Sequence, residues 1–254
     1  VWILVISPVV YPPSPLLRYG GIERLVYLTA CQINRQGHRV TVAAPDGSFF
    51  PAGIEHINTG PCGDFVESER QALYRYQGRL GEFDGILDYS HSHWAMMGRE
   101  LPALAFIWHD PYMMKPQEPE YGVSALSTWQ AERFRVIYDY EARVIDPHCD
   151  LSPEPAQPGD AFLFIGRVSD PHKGALEAIE ICRELGVPLD LIGAITKEDG
   201  PDYIAKLRKA CWGNINYLGE VGDEEKAAVL ARARAVIYPL EASYAEAHSH
   251  KSVS

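Results

Sequence analysis

The chain has 254 residues, enough for one large domain or two smaller ones that each bury a core. Its 46% hydrophobic and 22% charged residues are typical of a globular protein. The net charge of −11 argues against a nucleic-acid partner, because binding that ignores base sequence needs Lys and Arg side chains to neutralise phosphates. An anionic ligand would therefore have to be held by a local positive site.

The cysteines and the first helix bear on cellular location. The five cysteines are dispersed, odd in number and include no Cys-x-x-Cys pair, which favours reduced thiols over a disulfide framework or a zinc site. We therefore expect a cytoplasmic protein. The first predicted helix carries Arg24 and Arg35 against Glu23, too few cations for a strong electrostatic anchor on an anionic membrane.

Predicted strands and helices alternate along the first half of the chain, as in α/β proteins with mostly parallel strands. After Gly20 and Gly21, apolar residues recur at helical spacing until Gly37. The strands are predicted at residues 1–6, 38–45, 84–87 and 104–108. The acidic residues Asp64, Glu67 and Glu69 are interpreted as a solvated face.

A Pro-rich segment, residues 146–158, is the predicted linker between two domains, 1–150 and 151–254. The alternation of strands and helices restarts beyond it. The predicted strands are 162–165, 189–192, 215–218 and 235–238, and the predicted helices are 175–185, 202–210 and 223–234. Asp223 is expected to cap the last helix, with Glu224 and Glu225 in its first turn.

The stretch FLFIGRVSDPHKGALEAIEI, residues 162–181, contains a candidate anion site. Gly166-Arg167 follows a predicted strand, and Lys173-Gly174 precedes a predicted helix, where unpaired backbone N–H groups favour anions. Arg grips phosphate oxygens with a planar fork, Lys adds a mobile point charge, and glycines allow close backbone approach. This arrangement suits a diphosphate. The alternative is a solvated turn with two surface cations.

Other phosphate-binding motifs fit less well. The Walker pattern needs Gly-Lys followed by Ser or Thr, whereas here Lys173 precedes Gly174 and Ala175 follows. The sequence contains no G-x-G-x-x-G dinucleotide motif. Gly20-Gly21 repeats the order of strand, loop, glycines and helix in the first half, and predicts a second helix N-terminus facing the ligand.

These segments together resemble the retaining glycosyltransferases of family 4, the group 1 family. The matching segments are YGGIERLVYLTACQINRQGHRVTVAAP, FDGILDYSHSHW, AFIWHD, FLFIGRVSDPHKGALEAI, LDLIGA, INYLGEVGDEEKAAVLARARAVIYP and AEAHSHKSVS. The resemblance implies the GT-B fold, in which two Rossmann-like domains with mainly parallel sheets face a central cleft. The 254 residues contain no match to the family's closing strand and helix, so we expect an incomplete second domain.

The resemblance also implies roles for individual residues. Arg167 and Lys173 would bind the diphosphate of a nucleotide sugar, and His109 would lie beside the sugar that is transferred. These three are the predicted catalytic residues. The predicted donor-binding residues are Gly20, Gly21, Gly166, Gly193, Val221 and Glu246. A histidine that closes a strand is often only structural, which is the alternative for His109.

The family's two-glutamate motif is only partly present. Glu246 fits the first position, but Ser254 stands at the second, whose carboxylate normally accepts ribose hydroxyls. Glu241 is a second candidate for the first position, with Ser249 at the matching distance. Retention through a covalent intermediate needs a carboxylate nucleophile, and the sequence has no convincing one. We therefore expect front-face transfer, as is usually proposed for this family.

The predicted activity is transfer of a hexose from a UDP- or GDP-sugar to a glycan, lipid or small-molecule hydroxyl. The nucleotide sugar is a substrate, and no separate cofactor is expected. His91 and His93 are interpreted as a loop histidine pair rather than metal ligands, because no third ligand stands at a meaningful spacing. The alternatives are a sugar-nucleotide-binding protein without transfer activity and, ranked last, a GT-B epimerase or phosphorylase.

Overall fold

The computed structural model of the chain describes residues 1–64, 66–96, 103–108, 122–147, 157–196 and 200–239. These residues fall into two compact units, one that ends at residue 147 and one that begins at residue 157. The predicted domain boundary at residue 150 and most of the predicted linker lie outside the described ranges.

The first unit contains one parallel sheet with the strand order β3-β2-β1-β4-β5-β6-β7. Its strands are β1 Trp2–Ile6, β2 Arg39–Ala44, β3 Ile54–Asn58, β4 Gly85–Asp88, β5 Ala103–Trp108, β6 Gly122–Ala125 and β7 Arg143–Val144. Its helices are α1 Gly21–Arg35, α2 Glu67–Tyr76 and α3 Thr128–Tyr138. In the register of the central strands, Ile6 lies between Ala43 and Asp88, so β1, β2 and β4 end at the same edge.

Successive side chains of β1 point to opposite faces of the sheet, and both faces are buried. Val5 packs in one core cluster with Val26 and Ala30 of α1. Leu4 and Ile6 pack in another cluster on the other face, which also contains Ala72, Leu73 and Tyr76 of α2. Helices on both faces explain why β1 is an unbroken apolar run rather than an alternating one.

The second unit is a smaller parallel sheet with the order β10-β9-β8. Its strands are β8 Phe162–Ile165, β9 Leu189–Ile192 and β10 Ile215–Gly219, and its helices are α4 Ala175–Glu184, α5 Pro201–Ala210 and α6 Asp223–Arg232. The larger core cluster joins Phe164 and Leu191 to residues of α4 and α5. A smaller one joins Leu163 and Ile192 to Val229 of α6.

The seven predicted strands between residues 1 and 218, and the helices α1, α4 and α5, are confirmed to within about two residues at each end. Two predictions at the end of the second unit are wrong. The N-cap of α6 is Gly222, whose backbone is extended. Asp223, the predicted cap, is instead the first helical residue. Residues 235–238 form only an isolated bridge, Val236 to Leu163, instead of a strand.

In the described part of the chain, no helix combines the length and the apolar character that crossing a membrane requires.

Candidate functional site

The three strands of the second sheet end in glycines whose backbones pack against one another. Gly166 N donates to Ile192 O at 3.1 Å, and Gly193 N donates to Gly219 O at 2.9 Å. Gly193 has φ +135°, and a Cβ atom there would lie 1.6 Å from Gly166 O. Only glycine fits at residue 193, because its backbone packs directly against the backbone of Gly166.

Arg167 lies immediately beyond β8, where the sequence predicts it. Its guanidinium donates from Nη2 to Asp170 Oδ2 at 2.7 Å, and its side chain is 33% exposed. The same carboxylate accepts a hydrogen bond from His172 N at 3.0 Å, which caps the short 3-10 turn Pro171–Lys173. The guanidinium is therefore held at the strand end and remains accessible to solvent.

Lys173 lies at the end of that turn and is only 5% exposed. Gly174 follows it with φ +78° and forms the N-cap of α4, which has no side-chain cap hydrogen bond. A Cβ atom at residue 174 would lie 2.0 Å from Pro239 O, so the turn also requires glycine at this position. Lys173 is thus a buried residue directly before the N-cap of α4, where backbone N–H groups favour negative charge.

The turn between β8 and α4 therefore combines two cationic side chains with a helix N-terminus and a glycine backbone. Both cations belong to one turn of eight residues, 167–174, whose backbone is closed by hydrogen bonds from Asp170 N to Arg167 O and from Lys173 N to Asp170 O. Such an arrangement can stabilise the negative charge of a phosphate or diphosphate.

Val221 is buried in the smaller core cluster with Leu163 and Ile192, so its side chain packs the core of the second unit. Any contact with a ligand would come from its backbone. Tyr217 supports the neighbouring edge by donating from its hydroxyl to Gly193 O at 2.8 Å. The hydroxyl of the fully buried Ser169 accepts a hydrogen bond from Thr196 N at 2.9 Å.

In the first unit, Gly20 is the N-cap of α1 and Gly21 is its first residue. Gly20 has φ +123°, and a Cβ atom there would lie 2.8 Å from Glu23 Oε2. Glu23 is 4% exposed, and burial raises the pKa of its carboxyl, although hydrogen bonds from its own N–H and from Tyr11 N–H partly oppose the rise. The beginning of α1 is thus occupied by a buried acidic side chain.

The sequence predicts Glu69 to be part of a solvated face, and this prediction is wrong. Glu69 is 3% exposed, and its carboxylate accepts hydrogen bonds from His91 N at 2.9 Å, His91 Nδ1 at 3.1 Å and Ser92 N at 2.8 Å. It therefore connects α2 to the loop after β4. Asp64 and Glu67 are exposed, as expected.

A second buried carboxylate lies at the end of β4. Asp88 is fully buried, and its Oδ1 accepts hydrogen bonds from Ser90 N at 2.9 Å and Ser90 Oγ at 2.6 Å. His93 Nδ1 lies 3.5 Å from Asp88 Oδ2. Among the residues that the structure describes, no group of three or more His, Cys, Asp and Glu side chains is arranged to hold a metal ion.

Two predicted site residues, His109 and Glu246, lie outside the described residues, as do Glu241 and Ser254. Arg167, Lys173, Gly166 and Gly193 all lie at one edge of the second sheet or in the turn that leaves it. Gly20 and Gly21 belong to the first unit. Their predicted contacts with a donor remain predictions.

Comparison with solved structures identifies the fold. AviGT4, described as a glycosyltransferase involved in avilamycin A biosynthesis, is 25% identical with a TM-score of 0.68, over 92% of this chain and 69% of its own. Anabaena Alr3699/HepE, solved in complex with UDP and glucose, is 16% identical with a TM-score of 0.65, over 94% of this chain and 74% of its own. This chain has the GT-B fold.

The same fold extends to more distant structures. The E. coli trehalose-6-phosphate protein bound with UDP-2-fluoro glucose is 10% identical, with a TM-score of 0.60 over 91% of this chain and 76% of its own. UDP-N-acetylglucosamine 2-epimerase from Rickettsia bellii is 11% identical, with a TM-score of 0.54 over 92% of this chain and 73% of its own. No family model and no curated protein matches the sequence.

Proposed function

We propose that the chain is a retaining glycosyltransferase that moves a hexose from a nucleoside-diphosphate sugar, UDP- or GDP-linked, to an acceptor hydroxyl on a glycan, a lipid or a small molecule. The observation that carries this proposal is the turn between β8 and α4, which has Arg167 at a strand end and the buried Lys173 at a helix start. The likeness to AviGT4, a glycosyltransferase, supports it.

The chemistry of the proposed reaction makes demands that this turn can meet. When the bond from the anomeric carbon to the donor oxygen breaks, negative charge develops on the departing diphosphate. Arg167, Lys173 and the N-terminus of α4 would stabilise that charge where it develops, which is often the largest contribution to catalysis. The departing phosphate would then help to remove the proton of the acceptor hydroxyl.

Further residues have proposed roles in the same reaction. Gly166 and Gly193 would allow the donor to approach the backbone of the second unit, and Val221 would offer its backbone to the nucleobase. Gly20 and Gly21 would cover the donor, His109 would lie beside the sugar, and Glu246 would bind the donor. Glu23 next to Gly20 means that an anion over this loop would have to tolerate a buried acidic neighbour.

Calorimetric titration with UDP and GDP tests the proposed donor site. Arg167→Ala and Lys173→Ala should each weaken nucleoside-diphosphate binding by about 10- to 100-fold, because a hydrogen bond to a charged group contributes roughly 1.5–3 kcal/mol. Lys206→Ala, which removes an exposed cation from the same unit, should leave affinity unchanged. If all three variants bind UDP and GDP as tightly as the wild-type chain does, the proposed donor site is wrong.

The catalytic part of the proposal needs a separate measurement. Incubation with labelled UDP- and GDP-sugars and extracted glycan or lipid acceptors should give a glycosylated product with the anomeric configuration of the donor. Binding of the nucleotide without any product would favour a sugar-nucleotide-binding protein, and the serine at residue 254 is the sequence feature that motivates this alternative.

A further inference from the structure

Asp170 lies between the two cations of the turn at residues 167–174 and is 3% exposed. The proposed diphosphate site therefore has a buried carboxylate beside it. At fixed geometry its negative charge repels a bound diphosphate, and the repulsion is less screened in the interior than at the surface.

The contacts of Asp170 connect it to both cationic segments. Oδ2 accepts from Arg167 Nη2 at 2.7 Å, and Oδ1 accepts from His172 N at 3.0 Å. Its backbone N–H donates to Arg167 O at 3.2 Å, and its backbone carbonyl accepts from Lys173 N at 3.1 Å. One residue thus holds the guanidinium of Arg167 and shapes the backbone that presents Lys173.

The Arg167–Asp170 pair differs from other arginine–carboxylate pairs of the chain at the same spacing of three residues. Arg70–Glu67, Arg79–Glu82 and Arg135–Glu132 have both side chains between 31% and 55% exposed. The Asp170 side chain is 4% exposed. Exposed pairs restrain their side chains weakly, whereas a buried carboxylate can hold its partner in one orientation.

We propose that Asp170 is a positioning residue that orients the Arg167 guanidinium for a nucleoside diphosphate; this inference rests on the proposed function. A guanidinium presents five N–H donors in a planar fork, so a carboxylate can hold one edge while phosphate oxygens bind along another. Binding then costs less side-chain entropy, because the arginine rotamer is already selected in the free protein.

The positioning role and a purely electrostatic role predict opposite changes in UDP affinity when Asp170 is removed. If Asp170 acted only as a nearby negative charge, its removal would tighten the binding of UDP. If it orients Arg167, its removal should weaken UDP binding by about ten-fold, the effect of one charge-assisted hydrogen bond. Calorimetric titration of Asp170→Ser and Asp170→Asn with UDP and with inorganic pyrophosphate distinguishes the two.

Asp170→Ser is the sharper variant. Serine is as good a cap as aspartate, so it can still accept from His172 N, but it is too short to hold the guanidinium. Thermal unfolding should therefore change little while UDP affinity falls. Glu132→Gln, which removes one carboxylate from an exposed pair of the same spacing, should leave UDP affinity unchanged.

A double-mutant cycle shows whether Asp170 acts through Arg167. In an Arg167→Ala background, Asp170→Ser should cause no further loss of UDP affinity. An equal loss in both backgrounds, or unchanged or tighter binding in the single variant, overturns the inference. If the wild-type chain binds neither UDP nor pyrophosphate, both the proposed function and the role of Asp170 are wrong. If Arg167→Ala weakens UDP binding but Asp170→Ser does not, only the role of Asp170 is wrong.

Discussion

The two units of this molecule differ in the charges that they bury at the carboxyl edges of their parallel sheets. Among the described residues of the first unit, three carboxylates are buried: Asp88 at the end of β4, Glu23 in the first turn of α1 and Glu69 in the first turn of α2. In the second unit, the turn beyond β8 contains one buried carboxylate, Asp170, together with the buried Lys173 and the half-buried Arg167. A shared architecture therefore does not determine what each edge can bind.

The two units also differ in the contacts that hold the loops at these edges in place. The loops of the second sheet hold one another through backbone contacts between glycines, as at Gly193 and Gly166. The loop after β4 in the first unit depends on carboxylate side chains that accept backbone N–H groups, as Glu69 does for His91 and Ser92. We infer that the second edge suits an anion, because its turn has two cations to one carboxylate, whereas the buried charges described at the first edge are carboxylates.

The largest predicted effect concerns the glycine contacts. Gly193→Ala should destabilise the second unit by about 3 kcal/mol or more, because the new Cβ would collide with Gly166 O and the φ of +135° is strained for alanine. Nucleotide binding should be lost with it. Urea unfolding and UDP titration of the variant measure both.

Gly213→Ala is the matched control. Gly213 has φ +67° in the same unit, but a Cβ atom there would meet nothing within 4 Å. Its cost should be only the roughly 1–2 kcal/mol of a left-handed residue. Equal stability losses in the two variants would mean that the glycine backbone contact does not support the site.

A smaller effect is expected at Glu69. Glu69→Gln replaces one accepting oxygen with an N–H donor, so at least one hydrogen bond to the loop after β4 is lost. The cost should be about 1–3 kcal/mol, the cost of a buried group left without its partner. Urea unfolding followed by hydrogen exchange at Ser92 would detect both the loss of stability and the loosened loop.

Glu67→Gln provides the control for Glu69, because it changes an exposed carboxylate on the same helix. No comparable loosening should follow at Ser92. If both variants behave alike, the burial of Glu69 does not hold this loop, and the contrast between the two units weakens.

The smallest predicted effect is a pH dependence in the first unit. Burial raises the pKa of Glu23 above its usual value of 4.5, so the folded state holds the proton more tightly than the unfolded state. This stabilising contribution is fully present below pH 4.5 and is lost as pH rises through the folded pKa. Relative to Glu23→Gln, the wild-type chain should lose unfolding free energy as the pH rises above 4.5, and a difference that stays constant with pH would contradict this prediction.

The sequence predicts the second unit best, because its signals are local. Residues 162–174 contain a short apolar strand, a glycine, two cations and a second glycine before a helix, and each feature acts within a few residues. Gly174 shows the principle: its left-handed backbone ends one turn and begins α4. The contact between Gly193 and Gly166, by contrast, joins loops that are distant in the sequence.

The first unit is harder to predict, because the burial of its carboxylates depends on contacts between distant segments. The sequence of α2, ESERQALYRY, is mostly polar, so a local pattern predicts neither the helix nor the burial of Glu69. Glu69 is buried only because the loop at residues 90–93 supplies its hydrogen-bond donors. The strand predicted at residues 235–238 is wrong for a different reason. Their apolar composition suits a strand, but the bridge is limited to Val236 with Leu163.

The proposed function requires that the turn between β8 and α4 bind a diphosphate. A crystal structure of the protein with UDP tests this claim most directly. The account predicts diphosphate oxygens within hydrogen-bonding distance, about 2.7–3.2 Å, of Arg167 and Lys173 and at the N-terminus of α4. A diphosphate bound elsewhere, with both of these side chains away from it, would contradict the account.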